Sequence, residues 1–180
     1  MLCVSADIKN HERFTHKSNT HNIKLLTIQN ITMSSTTSIP STGQALFLPR
    51  PLVNKLLAHA QKNPEIEACG LIGNNEENEK HYYPVDNISK NPSCRFLMDA
   101  PQQINAMKKM RDKKQALFAI VHSHPTSSAV PSDLDIEESS YKAAFYIIIS
   151  LNTKGVLEMR AYTQKDDSMQ EVDLILEDAD

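Results

Sequence analysis

The chain has no pair of cysteines close enough in sequence to clasp a metal. Its three cysteines, Cys3, Cys69 and Cys94, are widely separated and odd in number. That argues against a thiolate zinc knuckle and a disulfide framework, and makes a reducing cytoplasm the simplest setting. Positive charge is not in surplus either: 19 Lys and Arg stand against 22 Asp and Glu, a net charge of −3, and no basic stripe favours nucleic acid. No apolar run could cross a bilayer; the longest, Ala143 to Ile149, has the length of a central strand. No apolar signal segment follows the first residues, and no internal repeat is visible. What remains is ordinary for a one-domain soluble protein: 180 residues, 40% hydrophobic and 23% charged.

Organisation changes along the chain. Residues 33 to 42 hold seven Ser or Thr in ten and can bury almost nothing. Residues 1–45 are therefore expected to be a disordered or misassigned leader, with Met33 as an alternative start. Ile23, Leu25, Leu26, Ile28 and Ile31 within it offer a short strand or interaction segment, while Asp7 and Glu12 break the acid-poor pattern of a transit peptide. From Pro51 to Asn63, Leu52, Val53, Leu56, Leu57 and Ala60 share one helical face, with Pro51 suited to a first turn and Pro64 to a stop. Strands are expected at Ala68–Ile72 and Tyr82–Val85, with another at Phe96–Met98. A helix follows over residues 101–114, where Ile104, Met107 and Met110 recur at spacings of three. Further strands are expected at Ala116–Val121, Ala144–Leu151, Val156–Tyr162 and Glu171–Leu176, with a hairpin connection at Asn152–Gly155. Helices mixed with strands, ending in an antiparallel run, predict an α/β domain, a mixed sheet with helices packed on it, over residues 46–176. Residues 177–180 read as a solvated acidic tail.

The chemistry lies at the end of the apolar run Ala116–Val121. His122-Ser123-His124-Pro125 follows it directly, and Ser132 and Asp135 come shortly after. Side chains two apart on a strand point to one face, so both imidazoles project together. Two imidazoles and one carboxylate make a three-ligand zinc site that keeps a position open for water, the mark of a catalytic rather than structural zinc. Ser132-Asp133-Leu134-Asp135 also reads as a capping box, Ser at the N-cap and an acid three residues on, so capping and metal ligation compete for Asp135. Ser132 can cap and still present its hydroxyl to a substrate. A water-activating site needs a proton acceptor, and Glu67, just before the apolar Ala68-Cys69-Gly70-Leu71-Ile72, is the candidate, with Glu65 as its competitor. Cys69 reads as a small buried apolar residue, and His59 and His81 as surface residues. A zinc deaminase would need His-x-Glu with Pro-Cys-x-x-Cys, which are absent, and a barrel hydrolase needs roughly 250 residues.

Taken together, Glu67-Ala68-Cys69-Gly70-Leu71-Ile72-Gly73, His122-Ser123-His124-Pro125, Ser132 and Asp135 resemble the signature of the JAMM (MPN+) zinc metalloprotease family, in its compact prokaryotic form. The resemblance covers about residues 45 to 175. It implies a cytidine deaminase-like fold, a mixed β-sheet flanked by helices. It implies zinc (Zn2+) held by His122, His124 and Asp135, Glu67 as general base and then acid, and Ser132 supporting the oxyanion. Members cut peptide or isopeptide bonds at the C-terminal tail of ubiquitin-like proteins, so a ubiquitin-like sulfur carrier with a Gly-Gly tail is the expected partner. Two alternatives stand beside this: a non-catalytic scaffold that kept the fold, and a small-peptide hydrolase of cell-wall or phage-tail type.

Overall fold

The computed structural model describes residues 45–152 and 157–178. The leader expected before Ala45, and the centre of the hairpin connection expected at Asn152–Gly155, lie outside the described residues. In chain order the elements are β1 Leu46–Pro49, α1 Arg50–Lys62, β2 Cys69–Asn74, β3 Lys80–Val85, α2 Ala100–Asp112, β4 Ala116–His124, α3 Asp133–Glu137, β5 Phe145–Ser150, β6 Glu158–Lys165, β7 Ser168–Val172 and β8 Leu174–Glu177.

Six strands form one mixed sheet in the order β3-β2-β4-β5-β6-β7, and β1 pairs with β8 in a separate two-stranded sheet. Only β4 and β5 run parallel within the larger sheet; the other neighbours are antiparallel. A parallel pair requires a crossover, and the chain between residues 124 and 145 supplies it. The mixed sheet with flanking helices is thus the architecture expected from the sequence.

Strand alternation explains the two cores. On β5, Ile147 and Ile149 face one side, where Leu46, Leu48, Leu52, Leu56 and Ala60 pack from β1 and α1. Tyr146 and Ile148 face the other side, toward Ala106 and Met110 of α2. Because both faces are covered, β5 reads as a continuous apolar run. Gly70 permits close packing here: a Cβ would lie 2.6 Å from the Tyr82 ring and 2.7 Å from the Tyr83 carbonyl.

Several local expectations need correction. Phe96–Met98 is not a strand; its ladder pairing is limited to an isolated bridge, Asn87 to Met98. The single strand expected at Glu171–Leu176 is two, broken at Asp173, and β1 carried no recognisable pattern in four residues. Ile104 is 54% exposed, since α2 turns Ala106 and Met110 inward instead. His59 and His81 are half-buried rather than on the surface: His59 Nδ1 lies 2.7 Å from the Tyr82 hydroxyl, and His81 Nδ1 lies 2.7 Å from Gln115 Nε2.

Candidate metal centre

His122 and His124 end β4 on the face shared with Ile120, and both are buried. Their Nε2 atoms stand 3.1 Å apart. Asp135 Oδ1 is 3.4 Å from His122 Nε2, and Asp135 Oδ2 is 3.6 Å from His124 Nε2. One ligand atom from each residue fits a set whose members all lie within 4.8 Å of one another. Zinc bonds of 2.0–2.1 Å imply tetrahedral ligand separations of about 3.3 Å, so the donor set fits such an ion. Two imidazole nitrogens and a carboxylate brought this close repel one another unless a proton or a cation lies between them.

The surrounding chain holds that convergence. Three successive carbonyls in the crossover are fastened to the sheet: Ser150 Oγ donates to Ser127 O at 2.6 Å, and the Tyr162 hydroxyl donates to Ala129 O at 2.6 Å. Between them His124 Nδ1 donates to Ser128 O at 2.7 Å. That bond fixes the His124 tautomer and turns its Nε2 lone pair toward Asp135. His122 is stacked on Phe96, ring centroids 4.6 Å apart, and its Nδ1 is buried without a hydrogen-bond partner. Burial lowers the His122 pKa, which favours the neutral form that a metal requires.

Asp135 reaches the site from α3, a helix of five residues capped by Ser132. The sequence sets capping and ligation in competition for this carboxylate; in the structure the cap occupies one oxygen and leaves the other toward His122. Oδ2 accepts from the Ser132 backbone N–H and hydroxyl, each at 2.7 Å, and Oδ1 is left facing His122. Burial opposes the charge on Asp135, but His122, His124 and Ser132 together hold the carboxyl well below the usual carboxylate range. For His124 burial also opposes the charge, yet Asp135 and the Ser128 carbonyl prevail and raise its pKa.

Glu67 lies two residues before β2. Cys69 pairs with His122 across the antiparallel ladder. Beyond that pair, Ser123 N–H donates to Ala68 O at 2.9 Å and Ser123 Oγ accepts from Ala68 N–H at 2.9 Å. Continuing the register one further step sets Glu67 level with His124. Glu67 is only 4% exposed, whereas Glu65 is exposed. Burial raises the Glu67 carboxyl to about 8, with His124 opposing the shift and Asp135 adding to it. This value belongs to the metal-free site, and a cation between the candidate ligands would favour the ionised carboxylate.

Asn87, Phe96, Ser123 and Ser128 escaped the sequence reading. Asn87 Nδ2 donates to Glu67 O at 3.0 Å and to Arg95 O at 3.1 Å, tying the Glu67 backbone to the loop that carries Phe96. Beside His122, Ser132 and Asp135 opens a cleft of about 310 Å³, walled by Phe96, Leu97, Leu134, Tyr141 and Tyr146. Phe96 alone offered a signal, as the first residue of the apolar run Phe96-Leu97-Met98; the others act through hydrogen bonds that residue type does not announce.

Comparison with known proteins agrees with this geometry. Residues 49–163 match the family described as prokaryotic homologs of the JAB domain. The chain is similar to the CysO-cysteine peptidase of Mycobacterium tuberculosis, 27% identical over 132 residues, 72% of this chain and 90% of that protein. It is also similar to the "Probable TtuB-protein conjugate cleaving protease" of Thermus thermophilus, 32% identical over 114 residues, 63% of this chain and 74% of that protein. Among solved structures, protein DSY2949 from Desulfitobacterium hafniense aligns with a TM-score of 0.66 and 29% identity, over 76% of this chain and 94% of that one. The chain therefore belongs to the prokaryotic JAB-domain branch of the JAMM/MPN family, and is a hydrolase of peptide or isopeptide bonds.

Proposed function

We propose that this protein is a zinc peptidase of the cytoplasm, cutting the bond that follows the Gly-Gly tail of a ubiquitin-like sulfur carrier. The observation that carries the reading is the meeting of His122, His124 and Asp135 in one ligand set, with the buried Glu67 carboxyl close enough to feel the charges of His124 and Asp135. The activities for which the mycobacterial and Thermus relatives are named, a CysO-cysteine peptidase and a probable protease of TtuB-protein conjugates, support the substrate class. No helix among the described residues is long and apolar enough to cross a membrane.

A zinc ion held by these three residues would acidify a water, from a pKa of about 15.7 to about 7, and polarise the scissile carbonyl. Glu67 accepts the proton released as water adds to that carbonyl. The same carboxyl then returns it to the leaving nitrogen as the C–N bond breaks, a contribution of about 10²–10⁴-fold. Ser132 lines the cleft beside the ligands, and its hydroxyl is assigned to the developing oxyanion; a donor of this kind contributes roughly 10²–10³-fold. Because that hydroxyl donates to Asp135 Oδ2, it must rotate to serve the substrate.

The test is to incubate zinc-loaded protein with a panel of Gly-Gly-tailed carriers bearing C-terminal extensions or lysine-linked adducts, read by mass spectrometry. Cleavage after the second glycine is expected. Intact substrates across the panel, with zinc confirmed in the protein, would overturn the reading.

A further inference from the structure

The cleft beside the metal ligands contains a feature that the hydrolytic machinery does not use. Its wall is apolar at Phe96, Leu97, Leu134, Tyr141 and Tyr146, and Arg95 stands in the same lining. Arg95 is bonded through Nη2 to a Glu138 carboxylate oxygen, an ion pair half open to solvent. Apart from the histidine ligand, Arg95 is the one cation among the residues lining this cleft.

Position decides which part of a substrate this cleft receives. It directly borders His122, Ser132 and Asp135, so its occupant lies within about one residue of the bond being cut. On the acyl side those residues would be glycines, which have no side chain to fill an apolar space. The leaving side has no such restriction. A volume of about 310 Å³ is at the small end of ligand pockets and suits a single residue.

Resting on the hydrolase reading above, we infer that this cleft holds the leaving residue and that Arg95 binds its free α-carboxylate. Arg95 is then the specificity-determining residue, favouring carriers extended by one apolar amino acid over carriers joined to a lysine side chain inside a folded protein. Glu138 keeps the guanidinium in place until substrate arrives. An exposed ion pair of this kind contributes little to stability, so exchanging one carboxylate for another costs little. The guanidinium fork is matched to a carboxylate and less well to a neutral amide. Hydrolysis breaks the C–N bond before the last residue: the water oxygen stays on the glycine carboxyl, and the amine leaves with the proton returned by Glu67.

The experiment uses one Gly-Gly-tailed carrier extended by a single phenylalanine, prepared as the free acid and as the carboxamide. Zinc-loaded wild-type protein should cleave the acid about tenfold more efficiently, mainly through KM, as suits a charged hydrogen bond in a partly open cleft. Arg95→Gln should erase that ratio, and Glu138→Gln should widen it. Equal efficiencies in the wild type, or a ratio that survives Arg95→Gln, would overturn the inference while leaving the hydrolase reading in place. A second arm uses metal-free protein, with phenylalanine and phenylalaninamide titrated by NMR, so that the ion cannot supply the carboxylate contact. If neither carrier is cut the hydrolase reading fails, and this arm decides the Arg95 site. Preference for phenylalanine that Arg95→Gln removes supports the inference, and equal binding of the two overturns it.

Discussion

Asp135 serves Ser132 with one carboxylate oxygen and faces His122 with the other. Oδ2 lies 2.7 Å from both the Ser132 amide nitrogen and Oγ, while Oδ1 is 3.4 Å from His122 Nε2. The capping box is thus also the device that aims the third candidate ligand. A five-residue helix has little stability of its own; here it carries a short acidic side chain to the open end of β4. Ser132 acts as a hydrogen-bonded support for that ligand, the arrangement that commonly tunes a metal site.

Ser132→Ala should therefore do two things. Loss of the cap should lower stability by about 0.5–2 kcal/mol, visible in denaturant unfolding of the metal-free protein. Loss of the contact to Oδ2 should also weaken zinc affinity by about 10–100-fold, measured by competition with a chromogenic chelator. Unaltered affinity would show that Asp135 keeps its aim without Ser132.

Glu67→Gln and His124→Ala should fail in different ways. Glu67→Gln keeps the ligand set and should retain stoichiometric zinc by elemental analysis, yet lose turnover by about 10²–10⁴-fold. His124→Ala removes a ligand and should lose the metal itself. Normal turnover by the first variant would remove Glu67 from the proton-transfer role, and full zinc content in the second would remove His124 from the ligand set.

The sequence made the site more legible than its surroundings. His122 and His124 were readable because a strand of period two projects both to one face, and Ser132 because a short polar residue before an acid at the third position caps a helix. Glu67 was a candidate beside its competitor Glu65, and the family resemblance chose between them, since burial of a lone acid follows from ladder register and not from residue type. The ties made by Asn87 and Ser128 were not legible, because one side-chain amide and one backbone carbonyl become supports only after distant segments meet. The same holds for β1, whose four residues are stabilised by parallel pairing with β8, more than a hundred positions away.

Cys69 and Cys94 should differ sharply in reactivity. Cys69 is fully buried, its thiol donates to Val85 O at 3.3 Å, and burial followed by the charges of Glu67 and Asp86 pushes it up to about 12. Since the thiolate is the reactive form, iodoacetamide near neutral pH should label exposed Cys94 and spare Cys69 until the protein unfolds. Peptide mapping by mass spectrometry reads the result. Early labelling of Cys69 would mean that β2 opens readily at the metal-binding end of the sheet.

The buried acid also predicts how stability should vary with pH. In the metal-free fold the Glu67 carboxyl is raised from 4.5 to about 8, so the folded state favours its protonated form. That contribution is complete below pH 4.5, decreases as the unfolded chain ionises and the folded chain does not, and is lost once the pH passes about 8. Asp135 acts in the opposite sense, losing its contribution as pH falls, but a variant at Glu67 retains that term. Metal-free Glu67→Gln should therefore resemble the wild type near pH 5 and exceed it in stability at pH 8.5, by a few kcal/mol at most, in urea titrations with chelator present. Zinc should narrow the gap, because a nearby cation favours the ionised carboxylate. Parallel stability curves for the two proteins across this range would show that the fold pays nothing for an ionised Glu67, and the proton-relay assignment would lose its electrostatic basis.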